Sequence, residues 1–224
     1  LTGGEPALRI EVIRKAYKTF DYVTVVSNGT IKIPEDIDTR IFISIDGLKA
    51  VHDKIRGAKV FDKIMKNIKE DKRIILTPTL SMTNYKYIEE MVKIARKSKV
   101  AGITFSTYTS HDAKNDPLLL KGKELDWTVK KLKEVRKKNK DLVFLTPMMI
   151  DLFKTKKHHK RCFFKRKEFV SYDANMNIKK PCPLGKGVDC GTCGCIVPIM
   201  MYALVNADVR AWFMFDKLFP TKKK

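Results

Sequence analysis

Long apolar stretches are absent from this chain of 224 residues. The longest mostly apolar run, residues 196–205, has about ten residues and is too short to cross a bilayer as a helix. The chain begins at Leu1 with neither an initiator methionine nor an apolar leader, so we expect that a further segment precedes it in the full protein. The sequence also contains no internal repeat and no low-complexity tract.

Acidic residues are scarce relative to basic ones. The 25 Asp and Glu residues face 46 Lys and Arg residues, which gives a formal net charge of +21. This excess predicts anionic partners, such as a nucleic acid, a phosphorylated small molecule or an acidic membrane surface, and a solvated lysine-rich surface is the simpler alternative. The length suits one sizeable domain with a core, or a domain with a small appendage.

Apolar β-branched runs alternate with amphipathic helical segments through the first 150 residues. The strand-like runs are continuous, as in strands buried on both faces of a parallel sheet, and cover residues 22–27, 40–45, 73–80, 100–108 and 142–145. The predicted helices cover residues 7–19, 48–72 with a break near Gly57, 85–97 and 124–138. We therefore predict an α/β fold, a partial TIM-type (β/α) barrel, with ligands at the carboxyl ends of its strands.

The sequence pattern changes after residue 150. We divide the chain into a barrel at residues 1–150, a small cysteine-rich extension at residues 151–195 and an apolar or amphipathic tail at residues 196–224. Within the extension, residues 169–180 predict a β-hairpin that turns at residues 174–177. The tail is expected either to pack on the barrel as a helix or to lie at a lipid interface.

The sequence Thr-Gly-Gly-Glu-Pro at residues 2–6 forms a turn before the first predicted helix. Two glycines let a ligand approach the backbone, and Pro6 favours the first turn of the helix. The carboxylate of Glu5 suits a ligand that carries an ammonium group. An ordinary strand-to-helix turn is the structural alternative.

A second polar group follows the strand at residues 40–45. Ser44 and Asp46 could bind ribose hydroxyls at this strand end, and Arg56 could pair with a carboxylate. The alternative is structural, because Asp46-Gly47 is also a common turn and Arg56 could be a surface charge.

The chain has an odd number of cysteines, five, and four of them fall within residues 182–195. This clustering favours a metal site in a reducing compartment over a disulfide framework. The predicted hairpin would bring the first two cysteines together, and a Cys-x2-Cys loop follows. The candidate ligands are Cys162, Cys182, Cys190, Cys193 and Cys195.

Four thiolates suit either an iron–sulfur cluster or zinc, and unmetallated thiols are the third possibility. The compact loop from Cys190 to Cys193 is strong evidence for a metal and weak evidence for which metal. Cys195 is the expected non-ligand, although Cys193 and Cys195 could exchange roles. The neighbouring His158 and His159 lie in a basic run and predict a solvated or anion-binding loop, with a substrate phosphate contact as the sharper alternative.

The order of the two polar motifs resembles that of the radical S-adenosylmethionine (SAM) enzymes. The resemblance covers about residues 1–195 and is most specific at residues 2–6 and 44–57, with a strand ending in Asn28-Gly29 between them. It implies a SAM-binding site built from Gly3, Gly4, Glu5, Asn28, Ser44, Asp46 and Arg56. In that family the glycine–glutamate turn binds the amino group of the cofactor, the serine and aspartate lie near its ribose and carboxylate, and the arginine lies near the carboxylate.

One part of the family pattern is missing from these residues. The Cys-x3-Cys-x2-Cys loop that binds the [4Fe–4S] cluster should precede Thr2, so the chain as given is expected to be inactive in SAM cleavage without an upstream segment. The C-terminal cysteines resemble an auxiliary-cluster appendage of some radical SAM enzymes. They also resemble the tail of radical SAM proteins that adenosylate or couple lipids.

The resemblance implies reductive cleavage of SAM to a 5′-deoxyadenosyl radical, which abstracts hydrogen from a substrate or adds to it. A lipid or isoprenoid is the preferred substrate, then a peptide or a cofactor precursor, and any of these could be anionic. An external electron donor is required. The protein is expected to be cytoplasmic, with peripheral membrane association as an option.

The rival hypothesis is a non-enzymatic, basic nucleic-acid-binding protein with a four-cysteine zinc site. The net charge supports it. The sequence has no aromatic-rich RNA-binding motif, and its strand ends suit a small ligand, so nucleic acid is the less expected partner.

Overall fold

The computed structural model describes residues 1–219, so residues 220–224 of the predicted tail lie outside the described residues. Two sets of parallel strands form its centre. The strands in chain order are β1 Thr24–Ser27, β2 Arg40–Ile43, β3 Ile74–Leu76, β4 Thr79–Leu80, β5 Gly102–Ile103 and β6 Ser106–Thr107. Strands β1, β2, β3 and β5 lie side by side in that order, and β4 pairs with β6.

The pair β4–β6 continues the sheet beyond β3 and β5. Thr104 N donates to Leu76 O at 2.9 Å and Ser106 N donates to Pro78 O at 3.0 Å, so the hydrogen bonding runs through the gap between the two pairs. Pro78 has no N–H to give to the ladder, which explains the interruption. The predicted strands at residues 73–80 and 100–108 are therefore each present as two short strands.

Eight helices surround and follow the sheet in the described part of the chain. They are α1 Ile10–Thr19, α2 Lys49–Arg56, α3 Phe61–Ile68, α4 Ile88–Lys97, α5 Gly122–Lys138, α6 Pro147–Thr155, α7 Ile196–Val205 and α8 Val209–Leu218. Short 3₁₀ helices cover Pro6–Arg9, Tyr85–Tyr87, Lys157–Arg161 and Cys190–Thr192. The predicted hairpin is present as β7 Ser171–Tyr172 and β8 Ile178–Lys179.

The prediction of a fifth full strand at residues 142–145 is wrong. Only one bridge forms there, between Ile103 and Val143. The chain turns into α6 directly afterwards, because Thr146 Oγ1 accepts a hydrogen bond from Met149 N at 3.2 Å and Pro147 opens the helix. This turn leaves too little extended chain for a longer ladder.

Adjacent residues of β2 show which elements cover each face of the sheet. A Cβ added to Gly29 would lie 2.9 Å from both Ile43 and Ile64, so Ile43 faces α3. Phe42 points to the opposite face, where its ring centroid lies 6.0 Å from that of Phe219, at the end of α8. The sheet is thus buried between α3 on one face and the C-terminal helices on the other.

The fold is α/β, as predicted. Because the parallel strands follow one another in chain order, the sheet has the order that a (β/α) barrel requires, and curvature into a partial barrel stays a prediction. One core cluster runs from Ala7 to Leu218 and includes α7, so the division into three domains also stays a prediction. Among residues 1–219, no helix has the length and apolar character needed to cross a membrane.

Candidate cofactor and metal site

The turn before α1 is open where the sequence has two glycines. Gly3 and Gly4 have positive φ angles of 88° and 55°, which glycine adopts without strain. A Cβ added at either position would meet no other part of the described chain within 4 Å. The backbone of this turn can therefore be approached closely from solvent.

The Glu5 carboxylate ties this turn to the end of β1. It accepts hydrogen bonds from Ala7 N at 2.9 Å, from Ser27 Oγ at 2.7 Å and from Asn28 N at 2.7 Å. An ionised carboxylate offers about four acceptor positions, so roughly one remains for a ligand. Glu5 is therefore both a structural link and a candidate for one further polar contact.

Asn28 and Gly29 form the turn that leaves β1. Asn28 Oδ1 accepts hydrogen bonds from Thr30 N at 2.8 Å and Thr30 Oγ1 at 2.7 Å, which closes an Asx turn. Gly29 has a φ angle of 77°, and a side chain there would collide with α3 and β2. The structure therefore gives Asn28 a role in shaping the turn.

Asp46 is the centre of a buried polar network at the end of β2. Its Oδ2 pairs with Arg56 Nη2 at 2.5 Å, and its Oδ1 accepts a hydrogen bond from Thr79 N at 3.0 Å. Its backbone N donates to His52 Nδ1 at 3.1 Å, and its backbone O accepts from Asn84 Nδ2 at 3.0 Å. Both carboxylate oxygens are thus engaged within the chain, and a ribose would have to share them.

The other residues of this motif also have structural roles, of which the sequence predicted only the helix break at Gly57. Asp53 Oδ1 accepts hydrogen bonds from the two backbone amides at the start of α3, at 3.0 and 2.9 Å. Gly57, with a φ angle of 67°, ends α2. His52 is fully buried, and burial lowers its pKa, so its ring is neutral and carries its proton on Nε2.

The polar groups lie in a row along the carboxyl ends of the strands. Ser44 N donates to Ser27 O at 3.2 Å, which joins the ends of β2 and β1, and the contact from Asp46 to Thr79 joins β2 to β4. Within residues 1–219 the Ser44 hydroxyl makes no hydrogen bond, so it is available to a ligand. The fold therefore brings the turn at Glu5, Ser44 and Asp46 to one edge.

The loop that carries three of the cysteines docks on the chain just beyond β6. Thr107 N donates to Gly194 O at 3.0 Å, and Gly194 N donates to Thr109 Oγ1 at 3.0 Å. Ser110 N donates to Thr192 Oγ1 at 3.0 Å. A Cβ on Gly194 would lie 2.8 Å from the carbonyl carbon of Thr107, so only glycine permits this approach.

A cavity of about 90 Å³ gathers all five cysteines. All of them are free thiols. The β7–β8 hairpin connects the first two along the chain and returns them to the same place, as the sequence predicted. The cysteines that line the cavity are Cys162, Cys182, Cys190, Cys193 and Cys195.

Burial governs the acidity of these thiols. It raises the pKa of Cys182 and of Cys193 above the usual thiol range, and it raises the pKa of Cys195 to about 12, with neighbouring thiols adding to the effect. These thiols therefore keep their protons at neutral pH unless a metal displaces them.

Lys156 also holds the cysteine loop. Its Nζ donates to Thr192 O at 3.1 Å and to Cys193 O at 3.0 Å. Desolvation lowers the pKa of Lys156 to about 8, and the nearby Cys193 thiol partly opposes this shift. This lysine of the basic run therefore helps to position a candidate metal ligand.

The expectation of a solvated loop is wrong for His158. The 3₁₀ helix Lys157–Arg161 packs against α7 and turns His158 inwards, where it is fully buried and lines the thiol cavity with His159. Burial and the charge of Lys156 lower the pKa of His158 to about 4, so its ring is neutral. Its ring lies near the Cys193 backbone, yet neither ring nitrogen has a partner in hydrogen-bond geometry within the described chain.

Two metal groups bind four thiolates, a single zinc ion and a four-iron cluster. In residues 1–219 no three Cys, His, Asp or Glu side chains are grouped closely enough to hold one metal ion. Tetrahedral zinc with Zn–S bonds of about 2.3 Å needs sulfur atoms about 3.8 Å apart, whereas a four-iron cluster takes each thiolate on a separate iron. Five thiols around one cavity are enough for either group, because each takes four thiolate ligands.

No protein-family model and no curated protein matches this chain. The fold is similar to a solved structure of native anSMEcpe with bound AdoMet and Cp18Cys peptide, with a TM-score of 0.54 and 16% identity over 70% of this chain and 52% of that chain. It is also similar to native anSMEcpe with bound AdoMet, with a TM-score of 0.52 and 17% identity over 69% of this chain and 51% of that chain. The chain thus spans about half the length of these structures, and at this identity the likeness shows a similar fold.

We predict that Gly194→Ala destabilises the protein by about 1–3 kcal/mol, because the new methyl group collides with the Thr107 backbone. Urea unfolding of both proteins measures the difference. Gly191→Ala is the matched control, since its Cβ would meet only the movable Asp189 carboxylate, at 3.0 Å. Equal stability of the Gly194 variant and the wild type would show that the loop is not held against β6 as described.

Proposed function

We propose that this chain supplies the SAM-binding edge and an auxiliary cluster site of a radical SAM enzyme. The observation that carries the proposal is the row of polar groups at the carboxyl ends of β1, β2 and β4, which contains both SAM-family motifs. The similar fold of anSMEcpe, which holds AdoMet, supports it. Ligands of α/β proteins of this kind bind at this end of the strands.

We assign the contacts with SAM to those groups of the edge whose hydrogen-bonding capacity is not used up within the described chain. The open glycine turn and the remaining acceptor position of Glu5 suit the amino group of SAM. The unpaired hydroxyl of Ser44 suits a ribose hydroxyl. Arg56, whose side chain is 35% exposed, is held by Asp46 and suits the carboxylate of the cofactor.

The chemistry belongs to the bound groups, and this chain positions them. When bound and reduced, SAM supplies a 5′-deoxyadenosyl radical for hydrogen abstraction or addition. The ligands of the [4Fe–4S] cluster that reduces SAM do not lie in these residues, so the proposal requires an upstream segment and an external electron donor. The chain as given is proposed to bind SAM without cleaving it.

The thiol cavity is proposed to hold an auxiliary [4Fe–4S] cluster that anchors substrate or moves electrons. Its ligands are proposed to be Cys162, Cys182, Cys190 and Cys193. Cys195 is the proposed non-ligand, which agrees with the burial that raises its pKa to about 12 and disfavours the thiolate. Zinc at the same cysteines is the alternative occupant.

A lipid or isoprenoid is the substrate that the C-terminal helices support best. One face of α8 packs on the core through Ala211 and Met214, and the other exposes Trp212 and Phe213 at 59% and 72%. An exposed aromatic face on a chain with a net charge of +21 suits the surface of an anionic bilayer. We propose a cytoplasmic protein that contacts such a surface peripherally; a peptide or cofactor precursor is the alternative substrate.

The net charge also supports the rival function of nucleic-acid binding with a four-cysteine zinc site. That function does not account for the polar edge built around Glu5 and Asp46. RNA binding that weakens steeply with salt, together with no affinity for SAM, would favour the rival.

We predict that Ser44→Ala lowers the affinity of this chain for SAM about tenfold, because a hydrogen bond of roughly 1.4 kcal/mol to the ribose is lost. Equilibrium dialysis with labelled SAM measures the affinity, and urea unfolding should be unchanged since this hydroxyl has no partner in residues 1–219. Asp46→Ala should lower both affinity and stability, because it leaves the Arg56 charge unpaired. Unchanged SAM affinity in both variants would refute the binding site.

We predict that anaerobic reconstitution of this chain with iron and sulfide yields about four irons and four sulfides per chain. Elemental analysis and EPR after reduction measure the product, and Cys182→Ala should lose most of the iron. If the chain instead contains one zinc ion and no iron, the cysteines form a structural zinc site and the cluster proposal is wrong. Full iron content in the Cys182 variant would exclude that residue as a ligand.

We predict that the chain sediments with vesicles that contain phosphatidylserine and not with purely zwitterionic vesicles. The double variant Trp212→Ser and Phe213→Ser should reduce the bound fraction severalfold by removing the exposed aromatic side chains of α8. Phe20→Ser, which changes an aromatic residue that is 58% exposed elsewhere on the surface, is the matched control. Equal losses in both variants would point to general hydrophobicity instead of α8.

A further inference from the structure

His158 is a buried polar side chain whose ring forms no hydrogen bond within the described fold. It is fully buried, it lines the cavity with the five cysteines, and both of its ring nitrogens lack a hydrogen-bond partner among residues 1–219. A neutral imidazole has one N–H donor and one acceptor nitrogen. Buried polar groups are paired in most proteins, so an unpaired ring at a cavity indicates a partner that occupies the cavity.

The partner of this ring should accept a hydrogen bond. The ring lies near the Cys193 backbone but not in hydrogen-bond geometry with it, and the Cys193 carbonyl oxygen accepts a hydrogen bond from Lys156 Nζ at 3.0 Å. Besides His159, the side-chain acceptors that line the cavity are the five sulfur atoms and the Thr109 hydroxyl, which already accepts a hydrogen bond from Gly194 N at 3.0 Å. The five thiols already outnumber the four irons of a cluster, which favours a contact of the ring with sulfur over a bond to iron.

We propose that His158 donates an N–H hydrogen bond to a sulfur atom of the cluster in the thiol cavity and thereby raises its reduction potential. The proposal rests on the auxiliary cluster proposed above. A reduced cluster carries one more negative charge than the oxidised one, so a donor to its sulfur stabilises the reduced state more. His158 thus tunes the reduction potential of the cluster through a hydrogen bond and does not ligate iron.

His159 has a secondary place in this arrangement. It lines the same cavity, and its buried Nδ1 also lacks a partner in the described residues. It is less buried than His158. The test therefore centres on His158.

The test uses this chain reconstituted anaerobically with iron and sulfide, comparing wild type, His158→Phe and His158→Gln. We expect about four irons per chain in all three. The midpoint potential should become more negative in the Phe variant, which has no N–H donor, and should move back towards wild type in the Gln variant, which has one. Protein labelled with ¹⁵N-histidine should show a weak nitrogen coupling in pulsed EPR that His158→Phe abolishes.

His111→Phe is the control, because His111 is exposed and is not one of the cavity-lining residues. An unchanged potential in His158→Phe would overturn the proposal while leaving the cluster intact. Loss of iron from that variant, or a strong nitrogen coupling in wild type, would also overturn it by making His158 a ligand. A wild-type chain that takes up no iron would overturn the auxiliary cluster itself, and this role with it.

Discussion

The close approach of Gly194 to Thr107 is the contact on which the arrangement of the candidate metal site depends. It places the loop of Cys190, Cys193 and Cys195 at the carboxyl end of β6. Lys156 also holds this loop, by donating hydrogen bonds to two of its carbonyl oxygens. Asp46 at the end of β2 contacts Thr79 of β4, and β4 pairs with β6, which carries the thiol loop. The proposed cofactor edge and the thiol cavity therefore share one end of the sheet, which is where a substrate could meet both.

The motif around Asp46 shows how residues assigned to ligand binding can also hold a fold together. The carboxylate joins β2 to β4 through Thr79 and fixes Arg56, while His52 and Asn84 hold its backbone. A buried carboxylate with a charged partner resists displacement, because removing either group leaves the other unpaired. Because Asp46 already holds Arg56 at this edge, the arginine side chain loses little further conformational entropy when a ligand binds.

Most of the secondary structure could be predicted because it depends on local patterns. The apolar runs of β1 and β2, the break at Gly57 and the hairpin around residues 174–177 each follow from a few neighbouring residues. The strand at residues 142–145 could not, because its length is limited by the turn at Thr146 that starts α6. The clustering of cysteines also predicted a shared site, whereas the burial of His158 inside a basic run left no signal in the sequence.

The sequence by itself determined the α/β alternation, the glycine turn with its carboxylate and the supply of five thiols. These depend on residue type and short spacing, which local backbone preferences translate directly into structure. Only the tertiary structure decided that Glu5 and Asp46 are bound within the chain, that the Ser44 hydroxyl has no partner among residues 1–219, and that His158 lines the thiol cavity. Those outcomes depend on contacts between residues far apart in the chain, such as Gly194 with Thr107, which no local pattern encodes.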